Sequence, residues 1–256
     1  IERHKAAIRA KVMYGYLLGK MEEKPDIDIK TSLSWSRKTR VTSRFEGFIH
    51  AVQEQEISTK FLAHKRLVES GKQPDFDNRC RLCKSKVEDI SHIMAGCEKM
   101  APTYYTPLRH DVVAKCIWNS IHREHCGGKD FHQLDTKNGE FINTYGNMEF
   151  WWNIPVKTCT KVKNNRPDMV MWDHTKKTCT VIEIACPLDV NVLGKEKEKE
   201  LIYALLLRNM QLLHPNYSFS FIPIIVGATG YVSHNLKEQL LRLGLQKKSV
   251  PRLISK

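Results

Sequence analysis

The sequence predicts a mixed α/β domain with a central sheet in the second half of the chain. Two apolar runs of strand type, residues 169–172 and 179–184, flank a polar, turn-like segment and indicate a β-hairpin. A helical segment, a third apolar run at residues 219–226 and a last helical segment follow in that order. Because strand, strand, helix, strand, helix is typical of a sheet with helices packed on it, we expect an α/β domain.

Helices are predicted for most of the first half. Residues 1–20 have the pattern of an amphipathic, basic helix. Ser43 and Glu46 have the spacing of a capping box, which predicts a second helix with Phe45, Phe48, Ile49 and Val52 on its apolar face. A third helix is expected over residues 59–70, ending at Gly71. The basic residues of these helices are either a solvated face or nucleic-acid contacts.

Further helices are expected on both sides of a polar connector at residues 129–150. Residues 108–121 carry apolar side chains at helical spacing, namely Leu108, Val112, Cys116 and Ile117. Residues 195–213 begin with alternating lysine and glutamate and continue with Leu201, Leu205 and Leu206. The last helix is expected at residues 233–243, after a tight loop.

The charge of the chain favours a polyanionic partner. Its 256 residues include 41 lysines and arginines against 28 aspartates and glutamates, a formal net charge of +13. Nucleic acid suits such an excess, because neutralised phosphates release counterions; a soluble basic protein or one on an anionic membrane surface is the alternative. No apolar run approaches the ~18 residues of a bilayer span, so we expect no membrane partner. The start at Ile1 suggests a piece of a longer polypeptide.

Three cysteines and one histidine have the spacing of a zinc site. The pattern is C-x2-C-x8-H-x4-C, with Cys80, Cys83, His92 and Cys97 as the candidate ligands. Four such ligands suit tetrahedral Zn²⁺ with no open position, which predicts a structural ion and a small nucleic-acid-binding knuckle. Free thiols with an incidental histidine are the alternative. The basic residues around the ligands are candidate nucleic-acid contacts: Arg79, Arg81 and Lys84.

The remaining cysteines give weaker indications. His122, His125 and Cys126 lack a clear fourth ligand, so metal binding is not expected there. Cys159, Cys179 and Cys186 lie in or beside β-rich runs and are expected to be buried thiols. Eight cysteines in so long a chain indicate a reducing compartment rather than a disulfide scaffold.

Two acids lie where the predicted hairpin can bring them together. Asp168 stands at the entry of the first strand and Glu183 inside the second. Paired carboxylates at such positions commonly hold a divalent cation against a phosphodiester. The alternative is that the Pro-Asp pair and a solvent-facing strand glutamate are unrelated.

Taken in order, these segments resemble the carboxy-terminal region of reverse transcriptases from site-specific non-LTR (LINE-type) retrotransposons that carry a restriction-like endonuclease. The family order is a basic helical linker, a CCHC knuckle and a PD-(D/E)XK nuclease. Besides the knuckle, the resemblance depends on the sequences YTPLRHD at 105–111, NRPD at 165–168, VIEIACP at 181–187 and IPIIVGATG at 222–230, with Glu198, Lys199 and Tyr203 between the last two.

This resemblance implies three regions and a site. The regions are the helical linker at 1–73, the knuckle with its following helix at 74–128, and a PD-(D/E)XK restriction-like endonuclease at 129–256. Asp168 and Glu183 would bind Mg²⁺ or Mn²⁺ with the Ile184 carbonyl. Ala185 occupies the usual lysine position, so the catalytic lysine would be Lys199 on the following helix, while Ile202 replaces a second lysine. Candidate nucleic-acid contacts there are Arg166, Lys195, Lys197 and Tyr203; a solvated helix face paired with neighbouring glutamates is the alternative for the lysines.

The resemblance also implies a biological setting. The endonuclease would nick double-stranded target DNA in the nucleus, and the freed 3′-hydroxyl would prime reverse transcription of the element RNA by an upstream reverse transcriptase domain. Two alternatives remain: a nucleic-acid-binding module without cleavage, which the departures at Ala185 and Ile202 would suit, and a branched-DNA resolvase built on the same nuclease core.

Overall fold

A mixed five-stranded sheet lies at the centre of the second half of the chain. The computed structural model describes residues 19, 23–35, 42–127 and 139–247, so most of the basic helix predicted for residues 1–20 lies outside the described residues. The strands follow one another across the sheet in sequence order, antiparallel from the first to the fourth and parallel between the last two. They are β1 (Phe141–Tyr145), β2 (Met148–Trp152), β3 (Met169–Asp173), β4 (Thr178–Ala185) and β5 (Ser218–Ile225).

Helices precede the sheet and connect its parallel strands. The α-helices are α1 (Ile29–Ser32), α2 (Ser43–Gln53), α3 (Lys60–Glu69), α4 (Asp111–His125), α5 (Val192–Leu213) and α6 (Asn235–Arg242). Two π-helical segments, His92–Gly96 and Ala101–His110, lie before α4, and a 3₁₀ turn, Asp189–Asn191, leads into α5. Helix α5 is the crossover that a parallel pair such as β4 and β5 requires. The predicted α/β class with a mixed central sheet is confirmed.

The polar connector predicted for residues 129–150 is wrong over its last ten residues. These residues form β1 and the start of β2, which pair as a hairpin around Gly146. Gly146 has a φ of 56°, a conformation that glycine adopts without a steric penalty. The sequence of β1, FINTY, does not alternate apolar and polar residues, so it lacks the period-two pattern that predicts a half-buried strand.

The two faces of the sheet pack against different helices. On one face Met169, Ile182 and Ile184 join the apolar side of α4 and α6 in the larger core. On the other face Val170 and Val181 pack with residues of α5. Because successive side chains of a strand point to opposite faces, each strand divides its residues between the two cores.

The apolar faces predicted for three helices are only partly correct. In α2 the cap is Thr42 rather than Ser43, and Phe45 and Phe48 are exposed while Val52 is buried. The exposed members of the other two stripes are Leu108, Val112, Leu201 and Leu205. Spacing defines a helix face, but which face is buried depends on where the sheet lies. None of the described helices is long and apolar enough to span a membrane.

The first part of the chain packs on the loop that precedes α6. Ile27 and Ser233 form an isolated β-bridge, and the Ser32 hydroxyl accepts a hydrogen bond from the Val232 amide over 3.0 Å. The Gln53 amide donates to the Thr229 hydroxyl over 3.2 Å. The linker helices therefore contact the loop that follows β5.

Candidate functional site

The structure brings the two predicted acids together. The Ile184 amide donates to Oδ2 of Asp168 over 2.7 Å, and the Asp168 amide donates to Oε2 of Glu183 over 3.2 Å. The ladder between β3 and β4 ends at the pair of Met169 with Ile182, so Asp168 and Glu183 lie just beyond it. The two carboxylates lie side by side where β3 begins, which is the geometry on which the sequence prediction depended.

The alternation of side chains explains why both acids lie on one face. Asp168 lies two residues before Val170, and Glu183 two residues after Val181. Val170 and Val181 both belong to the core that packs against α5. Since side chains two residues apart in a strand share a face, both acids point to the side of the sheet that α5 covers.

Helix α5 supplies two donors to Glu183. The Lys199 ammonium donates to Oε1 over 2.7 Å, and the Tyr203 hydroxyl donates to Oε2 over 2.7 Å. The two donors share a helix face because they are four residues apart. Burial and the charge of Asp168 raise the pKa of Glu183, and the hydrogen bonds from Lys199 and Tyr203 oppose that rise.

Tyr203 corrects one sequence prediction. It was expected to contact nucleic acid, but its side chain is 3 % exposed and belongs to the core beneath α5. Burial raises the pKa of its phenol, so the hydroxyl stays protonated as a donor to Glu183. Its place is therefore beside the carboxylates rather than on the surface.

His110 is a site residue that sequence reasoning missed. Its Nε2 lies 3.2 Å from Oδ2 of Asp168, and its Nδ1 lies 3.0 Å from Oδ1 of Asp111. Burial lowers the pKa of His110, but the hydrogen bonds and charges of Asp168 and Asp111 outweigh it and raise the pKa to about 9. The only signal in the sequence was its position within the YTPLRHD segment.

An open cleft lies between Glu183 and the knuckle. Its volume is about 360 Å³, and its lining comes from both regions of the chain. Cys186 lies in its wall, and burial raises the pKa of that thiol to about 12, so it stays protonated at neutral pH. The lining residues are Ala95, Tyr105, Thr106, His110, Glu183, Ile184, Ala185, Cys186, Pro187 and Lys199.

The four predicted zinc ligands converge and could hold one zinc ion. One ligand atom from each of Cys80, Cys83, His92 and Cys97 lies within 4.8 Å of the others. The sulfurs of Cys80 and Cys97 are 3.9 Å apart, and the Cys83 sulfur is 3.3 Å from Nε2 of His92. The hydrogen bond from the Ser85 hydroxyl lowers the pKa of Cys83 to about 6, which favours the thiolate that binds metal. Three sulfurs and one imidazole fit tetrahedral Zn²⁺.

The second Cys/His group forms no such cluster among the described residues. Nδ1 of His122 lies 3.1 Å from the Trp118 carbonyl oxygen, and Nε2 of His125 lies 2.9 Å from the Leu243 carbonyl oxygen. Each ring therefore contacts a backbone carbonyl oxygen, and the two do not converge on a shared metal position. Of the three thiols expected to be buried, Cys179 is buried, Cys186 is half-buried and Cys159 is exposed.

A buried glutamate organises the base of the knuckle. Glu88 accepts hydrogen bonds from the Arg81 guanidinium, over 2.6 Å at the shortest, and from the Lys60 amide at the start of α3, over 3.1 Å. The hydrogen bond with Arg81 lowers the pKa of Glu88 to about 2. Arg81 is therefore engaged within the fold, and Arg79 likewise pairs with Asp77 at 2.9 Å.

Tyr105 and Arg109 join the knuckle to the acids. The Tyr105 hydroxyl accepts from the Cys97 amide over 3.3 Å and donates its one hydrogen to the Ile93 carbonyl, while the His92 carbonyl oxygen lies 3.2 Å away. The Arg109 guanidinium donates to the Met94 carbonyl over 2.7 Å. Because His110 follows directly, the segment that closes the zinc site also carries the imidazole that contacts Asp168.

The other predicted nucleic-acid contacts lie at the surface. Arg166 pairs with Glu140 at 2.9 Å, and Lys195 pairs with Glu198 at 2.6 Å. Lys84 directly follows the second zinc ligand, Cys83, and is exposed in a turn with a φ of 60°. Lys197 is exposed on α5.

Comparisons with known proteins add no family to this geometry. No protein-family model matches the chain, and no curated protein matches it. The functional assignment therefore depends on the acids, the lysine and the knuckle.

Proposed function

We propose that this chain is a metal-dependent DNA endonuclease of the PD-(D/E)XK, restriction-like type, with a structural zinc knuckle. The observation that carries the proposal is the convergence of Asp168, Glu183 and Lys199 on one face of the sheet. The position two residues after the second acid is Ala185, but Lys199 reaches Glu183 from α5. A lysine that has moved onto the helix thus supplies the charge at the same carboxylate.

The residues present fit a magnesium or manganese ion. Mg²⁺ binds through one or two carboxylates and keeps several waters, and Asp168 and Glu183 offer two adjacent carboxylates. The Ile184 amide points at Asp168, and because the N–H and C=O of one strand residue point the same way, the Ile184 carbonyl is available as a third oxygen. Bound there, the ion would polarise a phosphodiester and lower the pKa of a coordinated water.

The side chains around the acids have separable roles. Lys199 holds a positive charge beside Glu183, where it can orient an attacking water and stabilise negative charge in the transition state. Tyr203 fixes the orientation of Glu183, and His110 holds Asp168 from the opposite side. The cleft between the knuckle and these residues would receive the scissile strand.

The proposed substrate is double-stranded DNA, which the net charge of +13 suits. The resemblance to non-LTR reverse transcriptases extends the proposal to target-primed reverse transcription in the nucleus. In that setting a nick frees a 3′-hydroxyl that primes copying of the element RNA by an upstream reverse transcriptase domain. The knuckle and the basic linker would position target DNA or element RNA.

Plasmid nicking tests the proposal. Supercoiled DNA is incubated with wild type, Asp168→Asn and Glu183→Gln in Mg²⁺ or Mn²⁺, with Glu200→Gln as the matched control because Glu200 is exposed on α5. We expect nicking by wild type and by the control, and loss of at least 100-fold in the two site variants, on the order of the loss when a charge-stabilising group is removed. Equal nicking by all four proteins would refute the assignment and indicate a contaminating nuclease.

A second candidate is nucleic-acid binding without cleavage. Both oxygens of Glu183 already accept hydrogen bonds from the chain, and Oδ2 of Asp168 is shared by the Ile184 amide and His110. Carboxylates whose oxygens are already bound by groups of the same chain are expected where the pair has only a structural role. Such a protein would bind DNA with a steep salt dependence and leave it intact at every metal concentration.

A further inference from the structure

A basic loop leads directly into Asp168. It spans residues 153–167, between the end of β2 and the first acid, and it carries three lysines besides Arg166. No aspartate or glutamate occurs between Glu149 and Asp168, so the whole segment is positive. The three exposed lysines are Lys157, Lys161 and Lys163.

The fold holds this loop in place at several points. Val156 and Val162 are buried in the core beneath α5, which also contains Tyr203. The Val156 amide donates to the Asn165 carbonyl over 2.7 Å, which closes the base of the loop. At the far side, the Thr160 amide and hydroxyl each donate to Oδ1 of Asn209 over 3.0 Å.

The lysines are free to bind an external anion. Among the described residues none of the three forms an ion pair, whereas Arg166 pairs with Glu140. Their side chains alternate with buried valines, so Lys161 and Lys163 flank Val162 and point outward. The loop exposes no large apolar side chain. Protein interfaces depend on buried aromatic and apolar residues, whereas phosphate contacts need exposed cations held in place.

We propose that this loop, residues 153–167, binds the phosphate backbone of duplex DNA beside the scissile bond, through Lys157, Lys161 and Lys163. The position of the bond rests on the endonuclease function proposed above; the binding itself does not. The loop begins where the Asn153 amide donates to the Asp168 carbonyl over 2.8 Å, and it extends along α5 to Asn209.

The dimensions of the loop suit DNA. Lys199 marks the level of the acids on α5, and Asn209 lies ten residues further along the helix. Ten residues of α-helix span about 15 Å. Each strand of duplex DNA carries one phosphate per about 3.4 Å of its axis, so the loop reaches phosphates within roughly five base pairs of the scissile bond.

The salt dependence of DNA binding tests this assignment. Binding of a labelled 30-base-pair duplex is measured by fluorescence anisotropy across a salt series, without added Mg²⁺ so that no cleavage intervenes. The variant carries Lys157→Gln, Lys161→Gln and Lys163→Gln together. The control carries Lys237→Gln, Arg242→Gln and Lys247→Gln, which remove the same charge from exposed positions on or just after α6, across the sheet from α5.

The two triple variants should differ clearly. Each lost phosphate contact lowers the slope of log K against log salt by about 0.9, so the loop variant should lose about 2 to 3 units of slope and the control much less. Equal slopes in the loop variant and the control would overturn the proposal. A loss confined to single-stranded RNA, with duplex DNA unaffected, would overturn it in favour of an RNA-binding loop.

A nicking assay separates this proposal from the endonuclease proposal. With Mg²⁺ present, the KM of the loop variant should be at least tenfold higher than that of wild type, and its kcat should stay within about threefold. The three substituted lysines would bind substrate but would not touch the reacting atoms. If no protein nicks DNA but the loop variant still loses slope, the endonuclease function fails and the DNA-binding loop stands. If wild type nicks and the slope is unchanged, the loop assignment fails alone.

Discussion

Tyr203 donates a hydrogen bond to Oε2 of Glu183 over 2.7 Å, and both side chains are buried between β4 and α5. The phenol holds the carboxylate in place while Lys199 binds its other oxygen. A buried carboxylate with two donors keeps one orientation, which is what a metal-binding acid requires.

Tyr203→Phe tests this contact. We expect the free energy of unfolding to fall by about 2 kcal/mol, because hydrogen bonds to charged groups contribute about that much. Nicking should fall about tenfold as Glu183 loses its fixed orientation and its pKa rises further. Denaturant unfolding and plasmid nicking are the measurements. Tyr145→Phe, on the partly exposed β1, is the control and should change neither quantity.

Lys199→Gln should abolish most nicking without weakening DNA binding. The ammonium lies 2.7 Å from Glu183 and is mostly shielded from solvent, so under the proposed function its charge would act on the scissile phosphate rather than on the rest of the DNA backbone. We expect a loss of about 100-fold or more in kcat. Lys197→Gln removes the same charge from the exposed side of α5 and should keep nicking within about threefold. Equal losses in the two variants would show that the charge of the helix, not the contact with Glu183, matters.

The acid pair could be predicted from the sequence, because it follows from local rules. A turn between two apolar runs fixes a hairpin, and alternation along β3 and β4 puts Asp168 and Glu183 on one face. The zinc ligands could also be predicted from the sequence, since their spacing indicates that they converge, as they do in the structure. Lys199 was identified only through the resemblance to a family.

The remaining site residues depend on contacts between distant parts of the chain. His110 lies 58 residues before Asp168, and no periodicity connects them. The prediction that Tyr203 is exposed was wrong because α5 carries apolar side chains on both faces: Leu206 is buried, while Leu201 is 78 % exposed. Only the position of the sheet decides which face is covered.

Cys97→Ser should remove zinc and weaken the site beyond the knuckle. Cys97 is buried with the other ligands, and its amide donates to the Tyr105 hydroxyl, on the segment that carries His110. Wild type should hold about one zinc per chain, and the variant much less than that. We expect lower thermal stability and reduced nicking together, measured by metal analysis, calorimetry and plasmid assay.

Cys159→Ser is the matched control for the zinc prediction. Cys159 is an exposed free thiol outside the cluster, so the variant should keep wild-type zinc content, stability and nicking. Full zinc binding by Cys97→Ser would contradict the ligand assignment. Loss of zinc with unchanged nicking would show that the knuckle does not support the acids.

Glu88→Gln should destabilise the protein in a pH-dependent way. Glu88 is buried and accepts hydrogen bonds from Arg81 and from the Lys60 amide. Glutamine carries no negative charge, and its NH₂ group cannot accept a hydrogen bond from these donors. The cost should be about 2 kcal/mol at neutral pH. The pKa of Glu88 is lowered to about 2 in the folded protein, so its stabilising contribution is complete above the ordinary glutamate range. It is lost as the pH falls from about 4.5 towards 2.

The measurement for Glu88 is the difference in unfolding free energy between wild type and variant. Any zinc bound at the cluster would leave both proteins in acid, so only their difference at each pH reports on Glu88. It should be largest near neutral pH and shrink as the pH falls below about 4.5. A difference that stays constant down to pH 3 would show that the glutamate charge contributes nothing.

Alanine substitutions at two glycines should have opposite effects on stability. At Gly227 a methyl group would overlap Oδ1 of Asp189 and lie 2.8 Å from Cβ of Tyr231. Asp189 cannot easily move, because its carboxylate accepts from the Thr229 amide and hydroxyl, over 3.1 and 2.9 Å. Gly227→Ala should therefore cost about 2–3 kcal/mol, as overpacking does.

Gly194, in the first turn of α5, is the counterpart of Gly227. No atom lies within 4 Å of the position its Cβ would take, and its backbone is helical. Gly194→Ala should stabilise the protein by about 0.5–1 kcal/mol, because alanine loses less conformational entropy in a helix. Chemical denaturation of both variants measures the two effects. Asp189 follows β4, which carries Glu183, and Gly227 follows the neighbouring strand β5. A Gly227→Ala protein as stable as wild type would show that this end of the sheet is less tightly packed than its hydrogen bonds indicate.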